Sequence, residues 1–326
     1  MRGGAAGGSS SVRYLLRRGA WTVAALLGVS VLIFGLVRLL PGTIVDILAG
    51  TEGRLGPAQR AAVLHQFGLD RPLPVQYGLW LWNLIHGNLG WSFRTQQPVG
   101  ELIAARLPIT IELAVLTIAA VAAIGIPLGI LASVTPSVRV KALAQIVGLL
   151  GLSVPNFWTA VMLIILASYA FHWLPALIFT PPWESPWVNA QQMLLPVLSL
   201  ALGLAAVVVR MTRSSMLEVL GQEYVLVARA KGLRGATVLL RHGLRNALIP
   251  IVTVLGLQSG FLLGGVVITE QIFGLPGLGW MLLNGVYQRD YPVVQGTVML
   301  FAVTFAAVNL AVDMLYTSLD PRIRFE

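Results

Sequence analysis

The chain has 326 residues, of which 56% are hydrophobic and only 11% are charged, and its mean hydropathy is +0.80. Soluble domains carry roughly 25% charged residues. This composition leaves too little polar surface for a water-soluble fold and indicates that lipid covers much of the surface. The sequence has no cysteine, which excludes disulfides, thiolate chemistry and cysteine-based zinc sites. The net charge of +9 fits either a nucleic-acid partner or the basic loops of a membrane protein, and the positions of the basic residues decide between them.

Six stretches without Asp, Glu, Lys or Arg are long enough to cross a bilayer core of about 30 Å. They lie between Arg18 and Arg38, at 113–138, at 142–171, at about 188–209, at 246–269, and between Asp290 and Asp313. We therefore predict an all-α integral membrane protein with six transmembrane helices. The first stretch is too long for a signal peptide, and no small-residue cleavage site follows it, so we expect an uncleaved helix over 13–40.

The distribution of Lys and Arg in the short loops predicts the orientation. An even number of spans places both termini on one side, and that side also receives the loops after the second and fourth spans. Its basic residues are Arg2, Arg13, Arg17, Arg18, Arg139, Lys141, Arg210, Arg213, Arg229, Lys231, Arg234, Arg241, Arg245, Arg322 and Arg324. The opposite side has fewer basic residues, interleaved with acidic ones. We therefore expect cytoplasmic termini, and the positive charge is mostly a topology signal.

Two segments lie outside this core. Residues 1–12 are mostly Gly, Ala and Ser and predict a disordered tail. Residues 41–108 form the largest external segment, which is rich in Pro, Gly and aromatic residues. Its rings are Tyr77, Trp80, Trp82, Trp91 and Phe93. They fit an aromatic belt at the membrane interface or a docking surface for an external partner, and residues 109–326 form the remaining five-helix core.

The loop between the fourth and fifth spans, at about 217–246, is the most informative segment. Apolar residues at helical spacing predict a short helix from about Glu223 to Lys231, and Gly232 fits its C-terminal cap. The small side chains of Ala228 and Ala230 allow close approach of another surface. Arg229 and Lys231 add charge at the rim of this helix. A short helix of this kind, which projects from a membrane domain, is suited to being held by a partner.

The run from Glu223 to Arg234, with Leu240 to Pro250 after it, resembles the cytoplasmic loop of peptide-type ABC importer permeases. It is most similar to the first of the two permeases in dipeptide and oligopeptide systems, a group that includes nickel and glutathione importers. Further motifs in matching order are 69–72, 87–90, 107–113, 153–158, 268–279, 313–316 and 319–324. The sequence departs from the family at Thr43 and Ile44 after Pro41-Gly42, and at Asn88, where the family has Asp. These departures affect the expected cargo or binding protein and leave the expected fold unchanged.

The resemblance implies a type I ABC importer permease-like fold and a role in transport. The chain is expected to form half of a translocation pathway for short peptides, with nickel, glutathione or haem as alternative cargo. Expected partners are a second homologous permease, two cytoplasmic ATPase subunits that bind ATP and Mg, an extracytoplasmic substrate-binding protein and the lipid bilayer. Alternating access driven by the ATPases is the implied mechanism, in a bacterial cytoplasmic membrane.

The resemblance also implies roles for individual residues. In the family the loop helix inserts into a groove of the ATPase subunit, which assigns ATPase coupling here to Glu223, Tyr224, Ala228, Arg229, Ala230, Lys231, Gly232 and Leu233. The compact Gly- and Pro-containing loop after the fifth span is expected either to contact the binding protein or cargo or to be an ordinary turn packed on the helix bundle. Its candidate contact residues are Glu270, Phe273, Gly274, Leu275, Pro276, Gly277, Leu278 and Gly279. Polar residues within spans are candidates for the pathway or for interhelical hydrogen bonds: Ser153, Asn156, Gln258, Ser259 and Asn309.

Other functions have weaker support in the sequence. A secondary transporter would be expected to have mid-membrane carboxylates or internal repeats, and neither is evident. An intramembrane enzyme needs a catalytic pair at depth, and no such pair or nucleotide-binding motif is present. The four histidines are scattered, so no metal site is predicted. A DNA-binding reading of 223–246 fails because too few basic residues share one face, and no nucleic-acid partner is expected.

Overall fold

A computed structural model describes residues 6–39, 56, 58, 61, 62, 65 and 70–319 of this chain. The described residues are almost entirely helical, apart from turns and one isolated bridge between Trp91 and Pro98. The helices are α1 (Ala6–Leu39), α2 (Leu73–Ile85), α3 (Val99–Val134), α4 (Val138–Ser153), α5 (Asn156–Phe171), α6 (Pro186–Leu220), α7 (Glu223–Ala230), α8 (Gly235–Thr237), a π-helical segment (Val238–Leu244), α9 (Arg245–Phe273), α10 (Leu278–Tyr287) and α11 (Tyr291–Leu319).

The described part of the chain contains five helical segments that are long and apolar enough to cross a membrane, and α5 is a shorter apolar helix. The prediction of an all-α membrane chain is confirmed. The predicted number of six transmembrane helices is not exact, because residues 142–171, the third predicted span, are divided between α4 and α5. Pro155 has no N–H with which to extend α4, and it takes the N-cap position of α5 with ψ near 139°.

Several helices are longer than the predicted spans. Residues 6–12, which were predicted as a tail, belong to α1, and α3 begins at Val99 within the predicted external segment. The predicted spans ended at charged residues, but a helix can continue past a charged side chain once it has left the bilayer. The motifs at 41–44, Leu69 and the last residues, 320–326, lie outside the described part of the chain.

Contacts divide the described residues into two compact units. The second unit comprises Pro108–Trp280 and the helical residues from Ala307 onward, and α6 lies at its centre. Gly125 of α3 faces Val208 at a distance that leaves no room for a methyl group, and Gly151 of α4 faces Ala206 in the same way. Small residues at such crossings let membrane helices pack closely. This packing positions α6 and α9, and the segment between them, as one structural block.

The first unit contains α1, α2, the beginning of α3 and residues Met281–Ala306. Its apolar core includes Ile33 and Val37 of α1 with Val294 and Met299 of α11. Trp80 and Leu84 of α2 pack against this core. The α2 helix begins after Pro72, where Pro74 occupies one of the first positions that need no N–H.

Candidate functional site

The connecting segment, residues 221–244 between α6 and α9, contains the short helix α7. Two α7 residues three positions apart, Val225 and Ala228, are buried against Val238 of the π-helical segment and against Leu220. An eight-residue helix is not stable alone in water, so this packing holds α7 in place. One side of α7 therefore belongs to the chain's own fold, and the other side is free for a partner.

The end of α7 agrees closely with the prediction. The helix runs from Glu223 to Ala230, and Gly232 follows with a φ of 74°, which glycine adopts without strain. The Gly232 N–H donates to the Arg229 carbonyl at 2.9 Å, and the Leu233 N–H donates to the Ala228 carbonyl at 3.4 Å. These two bonds form a Schellman motif, which fixes the direction of the chain beyond the helix.

A hydrogen-bonded cluster joins α7 to the start of α9. The Asn246 side-chain N–H donates to the Tyr224 hydroxyl at 3.0 Å and to the His242 carbonyl at 2.8 Å. The Tyr224 hydroxyl lies 3.4 Å from the same carbonyl, to which it donates. α7 is therefore connected to α9 through side chains as well as through the backbone.

The structure corrects one predicted role in this segment. Ala228 was expected to offer a small surface to a partner, but its side chain is buried against the π-helical segment. The reason is the helical period, which puts Ala228 on the same face as Val225. The other predicted coupling residues remain exposed: Glu223, Tyr224, Arg229, Ala230, Lys231, Gly232 and Leu233.

Two further accessible residues were missed by the sequence analysis. Leu226 is 55% exposed and Val227 is 53% exposed, on the side of α7 away from Val225. These two side chains therefore join the candidate residues for contact with a partner. The available signal was the unbroken apolar run Val225-Leu226-Val227, which covers more of the helix than one buried face needs.

The second candidate region is the Glu270 turn, residues 270–280, which runs from the end of α9 to the start of α10. Glu270 is fully buried, and its Oε2 accepts the N–H groups of Gly279 at 2.7 Å and Trp280 at 3.0 Å. Its Oε1 accepts the hydroxyl of Thr110 in α3 at 2.7 Å. The Thr110 hydroxyl oxygen in turn accepts the Leu278 N–H at 2.8 Å. Three N–H groups at the start of α10 are thus satisfied by two side chains, a requirement at any buried helix end.

Glycines make this closure possible. A Cβ on Gly277 would overlap the Glu270 carboxylate, and one on Gly279 would overlap the α9 backbone at Val267. Gly274 differs, because it has open space around it and a φ of 66° that ends α9. The spacing of glycines in this motif therefore reflects contact with Glu270 at Gly277 and backbone conformation at Gly274.

Most of the Glu270 turn faces the chain itself. Glu270, Leu275, Gly277, Leu278 and Gly279 are buried, so they cannot meet a partner without a rearrangement. Gly274 is exposed, and Phe273 and Pro276 are partly exposed. Contact with a binding protein stays a prediction, and among the eight residues predicted for that contact only these three are accessible.

A buried carboxylate that was not predicted holds another turn, within the first unit. The Ser92 hydroxyl donates to Asp290 Oδ2, and the Phe93 N–H donates to Asp290 Oδ1 at 3.1 Å. The Ser92 hydroxyl oxygen also accepts the Thr95 N–H at 3.0 Å. Asp290 thereby orders residues 92–95, although it is almost 200 positions away in sequence.

The predicted pathway residues lie on α4, α5, α9 and α11. Asn156 is the most constrained, because its side chain fills a notch beside Gly203 of α6 and Gly265 of α9, where added methyl groups would approach it to 2.6 and 3.7 Å. Gln258 is buried, and the Ser259 hydroxyl donates to Leu255 of its own helix. Ser153 is exposed and Asn309 is partly buried.

No group of three or more His, Asp or Glu side chains that could hold a metal ion lies within the described ranges. The candidate site consists of two surfaces of the second unit. They are the exposed side of the connecting segment and the small exposed part of the Glu270 turn.

Two family models match the chain. Residues 125–325 match the binding-protein-dependent transport system inner membrane component, and residues 11–114 match the N-terminal part of such a membrane component. The dipeptide transport system permease protein DppB of Escherichia coli strain K12 is 41% identical over 336 aligned positions, which cover 96% of this chain and 99% of DppB. The glutathione transport system permease protein GsiC of Pectobacterium atrosepticum is 39% identical, covering 97% of this chain and 100% of GsiC.

Solved structures agree on the fold. A chain of the MetNI methionine ABC transporter in an inward-facing conformation superposes with a TM-score of 0.54 at 18% identity, covering 67% of this chain and 96% of that one. An amino acid ABC transporter chain gives a TM-score of 0.52 at 16% identity, with coverages of 67% and 94%. The predicted ABC permease fold is confirmed, and the chain belongs to the family of inner membrane components of binding-protein-dependent transport systems.

Proposed function

We propose that this chain is a transmembrane permease subunit of an ATP-binding-cassette importer for short peptides, and that the connecting segment couples it to an ATPase. The observation that carries this proposal is the two-sided α7 helix, which is fixed to the chain on one side and exposes Leu226, Val227 and Ala230 on the other. Arg229 and Lys231 border this face and provide charge for an acidic groove rim. Membership of the permease family and the 41% identity to a dipeptide permease support the cargo class.

The coupling mechanism follows from the fixed side of α7. Closure of the ATPases on ATP would move α7, and the Tyr224–Asn246 hydrogen bond would pass that movement to α9. The membrane helices would then open outward to accept cargo, as alternating access requires. This chain performs no ATP hydrolysis in the proposal, because ATP and Mg are bound by the partner ATPase subunits.

The complete assembly in this proposal contains a second homologous permease, two ATPases and an external substrate-binding protein. The basic residues of the connecting segment support a cytoplasmic position for it. In that orientation the Glu270 turn would lie outside, where Gly274 and Pro276 would meet the binding protein. Asn156, Gln258, Ser259, Ser153 and Asn309 stay candidates for the pathway. Glutathione is the second candidate cargo, because a glutathione permease is 39% identical over nearly the whole chain.

A bulky substitution on the exposed side of α7 tests the coupling role. Ala230→Trp should reduce ATP-driven uptake and ATPase retention, because overpacking a fitted contact costs about 1–3 kcal/mol. This cost corresponds to roughly a five-fold to hundred-fold loss in a binding equilibrium. The measurements are peptide uptake, ATPase activity and subunit stoichiometry of the complex in proteoliposomes.

Two control variants separate coupling from folding. Ala236→Trp adds the same bulk to an exposed alanine of the connecting segment outside α7, and it should stay near wild type. Ala228→Trp should instead destabilise the chain itself, because Ala228 is buried. Wild-type uptake, ATPase activity and stoichiometry in Ala230→Trp would refute the coupling role, and uptake of glutathione but not of peptides would replace the proposed cargo while retaining the coupling role.

A further inference from the structure

The helix α2 has an unusual composition for a segment outside the main membrane spans. Its 13 residues include no charged side chain, while Asp70 and Arg71 precede it and His86 follows it. At about 1.5 Å per residue it is roughly 20 Å long, which is too short to cross a hydrocarbon core of about 30 Å. A short uncharged helix of this kind needs apolar surroundings on more than one side.

One side of α2 is bound to α1 within the membrane span of α1. Tyr77 and Ser30 share a hydrogen bond of 2.8 Å, and the Arg38 guanidinium donates to Gln76 Oε1 at 2.8 and 3.2 Å. The rings of Tyr77 and Trp80 lie 5.2 and 5.6 Å from that of Phe34. All these α1 residues lie inside the apolar span Arg17–Leu39.

These contacts set the depth of α2 in the membrane. Ser30 and Arg38 are eight positions apart, or about 12 Å along the α1 axis, so α2 lies beside the last part of the span rather than beyond it. Arg38 marks the end of that span, where its guanidinium stacks 3.4 Å from the Phe34 ring centroid. A helix that packs against this part of α1 is itself at the level of one bilayer leaflet.

The other side of α2 is apolar and exposed. It presents Val75, Leu79, Trp82 and Ile85. Trp82 is 64% exposed, and its ring stacks 4.2 Å from that of His86 at the end of the helix. The span of α1 likewise exposes apolar side chains at Leu32 and Leu36, on a surface that meets lipid in a membrane-spanning chain. An aromatic residue with a polar neighbour is typical of the boundary between acyl chains and headgroups.

We propose that α2 is an interfacial helix embedded in the bilayer leaflet at the Leu39 end of α1, with its exposed apolar face in contact with lipid acyl chains. The end of the helix at His86 lies at the headgroups. On the side that faces α1, the Arg38 guanidinium donates hydrogen bonds to Gln76 Oε1. The helix thereby anchors the segment before α3 to the membrane. This role is independent of the cargo and of the coupling proposal.

Fluorescence quenching in the reconstituted complex tests the proposal, since the chain has no native cysteine. Leu79→Cys and Trp82→Cys are labelled with the environment-sensitive fluorophore NBD in proteoliposomes. Quenchers are phosphatidylcholine with a nitroxide on the acyl chain and, separately, aqueous iodide. Leu32→Cys, on the lipid-exposed side of α1, and Gln97→Cys, on an exposed turn, are the lipid and water controls.

Both α2 labels should show blue-shifted emission, strong quenching by the nitroxide lipid and little quenching by iodide, as at Leu32. Emission and iodide quenching equal to those at Gln97 would overturn the proposal, because the face would then meet water. Shielding from both quenchers would also overturn it, because a protein surface would then cover the face. Val75→Cys replaces either variant that fails to assemble.

Discussion

The connecting segment and the Glu270 turn are both family motifs of the same structural unit, but they use their residues in opposite ways. In the connecting segment all predicted residues except Ala228 are exposed, and neutral hydrogen bonds from Tyr224 and Asn246 hold it. In the Glu270 turn five of the eight predicted residues are buried around one carboxylate. A motif can therefore serve either a partner or the chain's own fold, and the exposure of its side chains separates the two uses.

The comparison implies that damage to the Glu270 turn is first a loss of folding. Glu270→Ala removes the acceptor of the Gly279 and Trp280 N–H groups and the partner of Thr110. The Gly279 and Thr110 bonds are buried, and each unsatisfied buried donor costs about 1–3 kcal/mol, so these two donors alone give an expected loss of about 2–6 kcal/mol. The measurement is thermal unfolding of the purified complex, together with its yield from membranes.

Two variants of the same turn serve as controls for this largest effect. Glu270→Gln keeps one oxygen acceptor, so it should lie between wild type and Glu270→Ala. Gln271→Ala alters the neighbouring exposed side chain and should leave the unfolding temperature unchanged. If Glu270→Ala unfolds like wild type but loses binding-protein contact, the turn serves a partner, and the comparison with the connecting segment fails.

The difference between these regions also shows which features could be predicted from the sequence alone and which could not. The spacing of apolar residues and the position of Gly232 predicted the helix at Glu223 and its end correctly, because both signals are local. The face on which Ala228 lies was not predictable from the run Val225 to Ala228, since apolar residues surround the helix there. Its orientation depends on Val238, which the chain brings back through the π-helical segment.

Long-range partners explain the other missing features. Thr110 and Glu270 are 160 positions apart, and Ser92 and Asp290 are 198 apart, so neither pair leaves a periodic signal in the sequence. Five of the six predicted spans correspond to long apolar helices in the described part of the chain, because apolar length alone defines them. The division of the third span at Pro155 was visible as a proline within an apolar stretch, but its outcome, a kink or a new helix, depends on how α5 packs beside Gly203 and Gly265.

Glycine substitutions provide a second, smaller test of the turn. Gly277→Ala places a methyl group on the Glu270 carboxylate, and overpacking of this kind costs about 1–3 kcal/mol. Gly274→Ala has free space but keeps a left-handed backbone, which costs about 1–2 kcal/mol.

The two glycine variants differ in their response to a second substitution. In a Glu270→Ala background, Gly277→Ala should cost much less because the clash has gone, whereas Gly274→Ala should cost the same. Unfolding temperatures of the two single and two double variants measure this difference. If Glu270→Ala changed the stability loss equally at both positions, a clash with the Glu270 carboxylate would not be the specific cause of the loss in Gly277→Ala, contrary to the packing described above.

The smallest predicted effect on stability belongs to the connecting segment. Tyr224→Phe removes the hydroxyl that accepts from Asn246 and donates to His242. A typical hydrogen bond contributes about 0.5–1.5 kcal/mol, and this exposed site is in the lower part of that range, so the unfolding temperature should barely change. The amount of ATP hydrolysed per cargo molecule should rise nonetheless, because α7 can move without moving α9.

Asn246→Ala should give the same rise. The double variant should be no worse than either single variant, since both substitutions remove the same hydrogen bond between Tyr224 and Asn246. Tyr287→Phe removes the hydroxyl of an exposed tyrosine outside the segment and is the matched control. The measurement is the ratio of ATPase activity to uptake in proteoliposomes. A wild-type ratio in Tyr224→Phe would mean that the backbone alone carries the movement, and an unfolding loss as large as that of Glu270→Ala would erase the distinction between the two regions.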